Sequence, residues 1–177
     1  NQMFSSGTNA LIENTANYYT NNTDGLVVVN AGSQYTVNNA SVVVTVGTIT
    51  TNPSKLGALT LLQDSDGRWV NGVGYNFEAK QTISDMSNSF WVGEVTRVVI
   101  VVDPHYIKSD QVTYDELQRI IRHEFGHAIG LRHTFNVSYG ETDTGITALM
   151  YPAYKGSFSS LIFTTYDKNE MGKVYPH

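Results

Sequence analysis

Three of the five histidines in this 177-residue chain fall within eleven residues, HEFGHAIGLRH, positions 123–133. In a helix, side chains four apart share a face, so His123 and His127 project together with Glu124 beside them. This is the H-E-x-x-H arrangement, two nitrogen ligands for a metal and a carboxylate placed as general base. A zinc ion that keeps one position open for chemistry takes three protein ligands, and His133 is the candidate for the third. A straight helix cannot deliver it. Ten residues at ~1.5 Å each carry His133 ~15 Å from His123, against a Zn–N bond of ~2.0–2.1 Å. The chain must therefore turn after His127, and Gly130 stands where a left-handed residue ends a helix without steric cost.

Three neutral imidazoles leave a zinc ion its full charge, so a bound water would fall from a pKa of ~15.7 toward ~7. Glu124 can take the proton of that water as it attacks a carbonyl and hand it to the leaving amine. A bare H-E-x-x-H arises by accident about as often as by function. The added Gly130 and His133, at a spacing that only a bend explains, make accident a poor account of this stretch. His105 and His177 have no spaced partners and are read as structural or incidental.

Elements of both kinds must position these residues. Thr113 opens a helix, with Glu116 three residues on in a capping-box spacing and Asp115 in the positive first turn. Leu117, Ile120, Ile121, Phe125 and Ala128 supply its buried stripe, through to Leu131. Upstream, residues 8–20 predict a helix, with Leu11, Ile12, Ala16 and Tyr19 at helical spacing and Thr8 or Asn9 as cap. LVVVN (26–30) and SVVVTVGTIT (41–50) read as strands, the valine run apolar enough to be buried on both faces. LGALTLLQ (56–63) is a further strand, DSDG (64–67) its turn and RWVNGVGYNFEA (68–79) its return. Residues 80–93 read as irregular, and TRVVIVVDP (96–104) as the clearest strand, stopped by Pro104. Residues 134–163 read as loop and about 166–174 as a last short helix. With no repeat and no linker, one α+β domain over 1–177 is the simplest organisation, with an upper part to about 131 and a lower part from about 132.

Composition narrows the function. A hydrophobic content of 41% is that of a globular chain, and a net charge of −5 offers no basic face, so nucleic acid and membrane are not expected as partners. The absence of cysteine removes disulfides, thiolate ligands and a cysteine nucleophile or latency switch. Few charged residues and abundant Asn, Thr, Ser, Tyr and Gly suit a secreted protein, and a monomer is expected. No apolar run approaches the ~20 residues of a membrane helix. The N-terminus does not read as a signal peptide, so a processed or trimmed chain is expected. The sequons at Asn21, Asn39 and Asn136 are read as chance.

HEFGHAIGLRH has the H-E-x-x-H-x-x-G-x-x-H form of the metzincin metallopeptidases. TALMYPAY (147–154) resembles their methionine turn, with Met150 under the metal. Thr134, the ALMYP wording and Asp167 followed by Met171, Val174 and Tyr175 make the chain most similar to the matrixins. The detailed resemblance spans roughly 113–175. It implies a zincin-like fold with a twisted mixed sheet of about five strands, an active-site helix and a small C-terminal subdomain below the cleft. It implies a zinc endopeptidase acting on protein or peptide chains, with LGALTLLQ as the edge strand that pairs with substrate. It gives Asp167 the role of hydrogen-bonding the methionine turn, and Pro152, Ala153 and Tyr154 that of walling a specificity pocket. Arg119, on the face of His123, would make that pocket shallow, while a solvated helix arginine is the plain alternative. One catalytic zinc is expected. Residues 71–95 hold no histidine, so the family's structural zinc is expected to be absent. Asp64 and Asp66 form half of a calcium-loop pattern, for which a turn is the better reading. Tyr166 replaces an acidic position that pairs with a processed N-terminus in many matrixins. A metzincin-fold binding module without activity, and a narrow processing protease, are the alternatives to a general endopeptidase.

Overall fold

The computed structural model describes residues 6–22, 40–50, 56–84, 94–107, 112–134, 147–152 and 160–174. The chain divides into two compact units, Asn1–Asp110 and Gln111–His177. Among the described residues, four helices and five strands make it α+β, as the sequence implied. The strand expected at 26–30 lies outside the described residues.

The first unit opens with α1 (Ser6–Asn22), which begins before Thr8 and Asn9, so neither caps it. Leu11, Thr15, Ala16 and Tyr19 form its buried stripe. β1 (Val42–Val46), β2 (Ala58–Gln63) and β5 (Arg97–Val102) form a mixed sheet in the order β1-β5-β2. β1 runs parallel to β5, with Val44 opposite Ile100, and β2 runs antiparallel, with Thr60 opposite Ile100. The central place of β5 explains why RVVIVV is aliphatic almost throughout, since covered strands show no polar alternation. β1 does not share that burial on both faces. Its residues alternate, Val43 and Thr45 buried and Val42 40% exposed, as a strand with one core-facing side does.

β2 ends the sheet among the described strands. DSDG turns the chain there, Asp64 Oδ1 accepting from Asp66 N and Arg68 N while Asp66 pairs with Arg68 at 2.7 Å. The full return strand expected at 68–79 is reduced to one bridge, Gln63 to Trp69, plus Val70 N donating to Leu62 O. The chain then leaves β2. Trp69 turns into the core over Gly74, where a Cβ would stand 2.3 Å from its Nε1, so only glycine allows the approach.

Residues 73–84 make a second sheet, the hairpin of β3 (Val73–Asn76) and β4 (Gln81–Ser84). β4 takes the first residues of the irregular segment expected at 80–93, whose remainder from 85 lies outside the described residues. Asn76 Oδ1 accepts from Glu78 N and Ala79 N, and Lys80 takes φ 52, a turn that brings QTIS back. Thr48 and Gln81 bridge the hairpin to the stretch after β1, and the Tyr75 hydroxyl donates to Val46 O at 2.8 Å. Val43, Ile49, Leu61, Trp69, Tyr75, Val99 and Val101 form one core cluster. A short helix α2 (Pro104–Ile107) follows β5, and Asp103 receives both Ile49 N and His105 N. Hydrogen bonding outweighs burial, which alone would raise it, and holds the Asp103 carboxyl below its ordinary range.

The second unit is built on α3 (Tyr114–Ala128) and α4 (Thr165–Val174). Thr113 caps α3, its hydroxyl accepting from Glu116 N at 3.1 Å. Leu117, Ile121 and Phe125 are the apolar stripe, yet the helix also buries Arg119, Arg122, His123 and Glu124. A helix that encloses so many ionisable groups must give each of them partners. Among the described residues no helix is long and apolar enough to cross a membrane.

Candidate metal centre

α3 ends in a Schellman arrangement: Leu131 N donates to Gly126 O at 2.9 Å and Gly130 N to His127 O at 3.0 Å. Gly130 sits at φ +91, a conformation in which an L side chain is strained, and there the chain reverses. The reversal returns His133 to His123 and His127. His133 Nε2 lies 3.1 Å from His123 Nε2 and 3.1 Å from His127 Nε2. One ligand atom from each ring falls within 4.8 Å of the others.

The other ring nitrogens decide what those three atoms are. His123 Nδ1 lies 2.8 Å from Leu149 O, and His127 Nδ1 lies 2.8 Å from Leu131 O. A carbonyl only accepts, so both Nδ1 atoms carry the proton and both Nε2 atoms present bare lone pairs. A proton on His133 could bridge only one of its two 3.1 Å neighbours, leaving lone pair against lone pair at the other. A cation answers all three. Donors at ~2.0–2.1 Å around a tetrahedral zinc stand ~3.3–3.4 Å apart, close to the two 3.1 Å separations from His133, and all three ligand atoms lie within 4.8 Å of one another. The donor set therefore fits zinc. Burial pushes the His123 imidazole down to about 3, helped by the neighbouring His127 charge and opposed by its bond to Leu149 O. Burial also lowers His133, with His127 and Arg119 adding to it. Neutral rings are what a metal requires.

The backbone of residues 149–151 is tied to this centre at almost every polar group. Leu149 O receives His123, and Met150 O receives Thr134 N, next to His133, at 3.2 Å. Asp167, wholly enclosed, accepts Leu149 N and Met150 N at 2.9 Å each and also Thr164 N and its hydroxyl. Met150 is fully buried in this turn. Glu124 follows His123 on α3 and is 7% exposed. Arg119 is not a solvated helix arginine. It is 3% exposed, and its Nη2 donates to Leu149 O at 3.2 Å and Tyr151 O at 2.6 Å. Pro152 is exposed, and Ala153 and Tyr154 lie outside the described residues.

The carbonyls of Leu149 and Leu131 are the functional groups the side-chain pattern could not announce. Any residue type supplies the same acceptor, and only the path of the chain places it. The model of metallo-peptidase family M12 matches residues 7–162. No curated protein and no solved structure matches the chain.

Proposed function

The chain belongs to metallo-peptidase family M12, a zinc-dependent peptidase family, and we propose that it is a secreted endopeptidase that cleaves extended protein or peptide substrates at a single zinc. The observation that carries this reading is the convergence of three Nε2 atoms, two of them left with bare lone pairs because their Nδ1–H groups donate to the carbonyls behind them. A zinc ion held by His123, His127 and His133 would supply Lewis acidity toward a water and a substrate carbonyl.

The protein's own part is then orientation and proton transfer. Leu149 O and Leu131 O hold two imidazoles in one tautomer and rotation. A Glu124 carboxylate oxygen takes the proton of the attacking water and returns it to the amine nitrogen as the peptide bond breaks. Met150 and the turn around it form the floor under the ligands. We further propose a matrixin type for this lower region, supported by ALMYP, by Pro152-Ala153-Tyr154 and by Asp167 in its bonds to the turn. Addition of substrate backbone to the edge of β2 is the proposed recognition mode. No structural zinc is proposed, and the DSDG carboxylates serve their turn.

Glu124→Ala tests the assignment. It should keep zinc, measured by mass spectrometry, while cleavage of denatured casein or gelatin falls by about 10²–10⁴-fold. Turnover retained by the variant would remove Glu124 from this role. A wild-type protein that holds zinc yet cuts no denatured protein would instead be a binding module or a narrow processing enzyme.

A further inference from the structure

Arg119 sits one helical turn before His123, and both reach the same atom. Leu149 O accepts His123 Nδ1 at 2.8 Å and Arg119 Nη2 at 3.2 Å. A carbonyl oxygen has two lone pairs, and here one takes the metal-ligand imidazole and the other a guanidinium. The same Nη2 also donates to Tyr151 O at 2.6 Å. One nitrogen on a buried side chain thus spans two carbonyls two residues apart and sets how the turn between them runs. Asp167 grips the other face of that turn through the N–H groups of Leu149 and Met150. The turn is clamped by a cation at its carbonyls and an anion at its amides.

The geometry points to Arg119 as a positioning residue for His123. It anchors the carbonyl that fixes the ring's tautomer and rotation, and it fixes Tyr151, where the chain enters Pro152. Groups behind a metal ligand hold its orientation, and a charged donor does so more firmly than a neutral one. Position −4 from a ligand makes the coupling stiff, since α3 itself holds Arg119 and His123 at a set separation. At 3% exposure the guanidinium is enclosed and turned to the backbone carbonyls of Leu149 and Tyr151. This inference rests on the zinc-peptidase reading.

The test compares zinc affinity by chelator competition, the visible absorption of cobalt(II)-substituted protein, and kcat and KM on peptides with small and bulky P1′ residues. Arg119→Met, shown folded by circular dichroism, should bind zinc about 10–100-fold more weakly and shift the cobalt bands. Its kcat should fall alike for both kinds of peptide. Arg119→Lys, one bond shorter but with donors enough for two carbonyls, should recover most of the affinity. An Arg119→Met protein with wild-type zinc affinity and cobalt spectrum would overturn the inference. So would a loss confined to discrimination between P1′ residues. Should the methionine variant be recovered unfolded, Arg119→Gln is measured in its place, with the same supporting and overturning results. A wild-type protein that takes up neither zinc nor cobalt overturns the zinc reading itself, and this inference with it.

Discussion

Strand β5 and helix α3 are both enclosed, by opposite chemistry. From Val98 to Val102, β5 is at most 5% exposed and every side chain is aliphatic. Its order comes from area removed from water, a non-directional force that tolerates exchange of one aliphatic residue for another. α3 buries Arg119, Arg122, His123 and Glu124 beside its apolar stripe, and the wholly enclosed Asp167 of α4 joins them in the same unit. Their order is directional: Arg119 to Leu149 O and Tyr151 O, Arg122 to Leu161 O, His123 to Leu149 O, Asp167 to four donors. Buried polar groups are tolerable only when satisfied, so this network admits few substitutions. The sheet is a scaffold that could be written in many ways. The candidate metal centre is a set of fixed vectors.

Substitutions can sharpen that contrast. Ile100→Ala, at the centre of β5, should cost about 2–5 kcal/mol in denaturant unfolding. Each folded molecule should still bind zinc as before, and weakened zinc affinity would break the separation. Acidification should strike the metal-free protein at the other region. His123 is held at about 3, below its ordinary 6.5, so it is neutral in the fold while the unfolded chain takes a proton. The unfolded state then binds more protons, and stability is full above ~6.5 and lost as pH falls toward about 3, on the order of a few kcal/mol. Thermal unfolding across that range, compared with His123→Asn, measures it; parallel pH profiles would contradict the assignment.

Gly130→Ala imposes a left-handed strain of about 1–2 kcal/mol on the bend. Space is not the obstacle, since the nearest atom to an added Cβ is Val174 Cγ1 at 3.4 Å. Stability should fall by that amount and zinc affinity with it, because the bend carries His133. The smallest effect is Thr113→Ala, about 1 kcal/mol from the lost cap, with zinc binding unaltered. Chemical denaturation reads both.

The candidate metal centre was more legible than much of the sheet, for reasons that residues make plain. His123, His127 and Gly130 are related by helix geometry, which is rigid, so spacing alone implied their placement. Thr113 and Glu116 announced the start of α3 in the same local way. β4 was not legible because QTIS is four residues long with Ile83 its one apolar residue, too short for an alternation to show. Its hairpin depends on Asn76 Oδ1 and on Lys80 at positive φ, neither of which stands out in a run of polar residues. The valines of β1 and β5 look alike in sequence. Their different burial follows from which strand is central, a matter of long-range pairing. Arg119 illustrates the limit best: periodicity placed it on the face of His123, but its partners are carbonyls thirty residues away.

The most direct measurement is metal content against proteolysis in one preparation of wild-type and His133→Ala protein. Wild type should carry one zinc per chain, lose casein cleavage on chelation and regain it with zinc, while His133→Ala retains little metal after dialysis. Full zinc in His133→Ala, or proteolysis indifferent to chelator, would contradict the three-histidine centre.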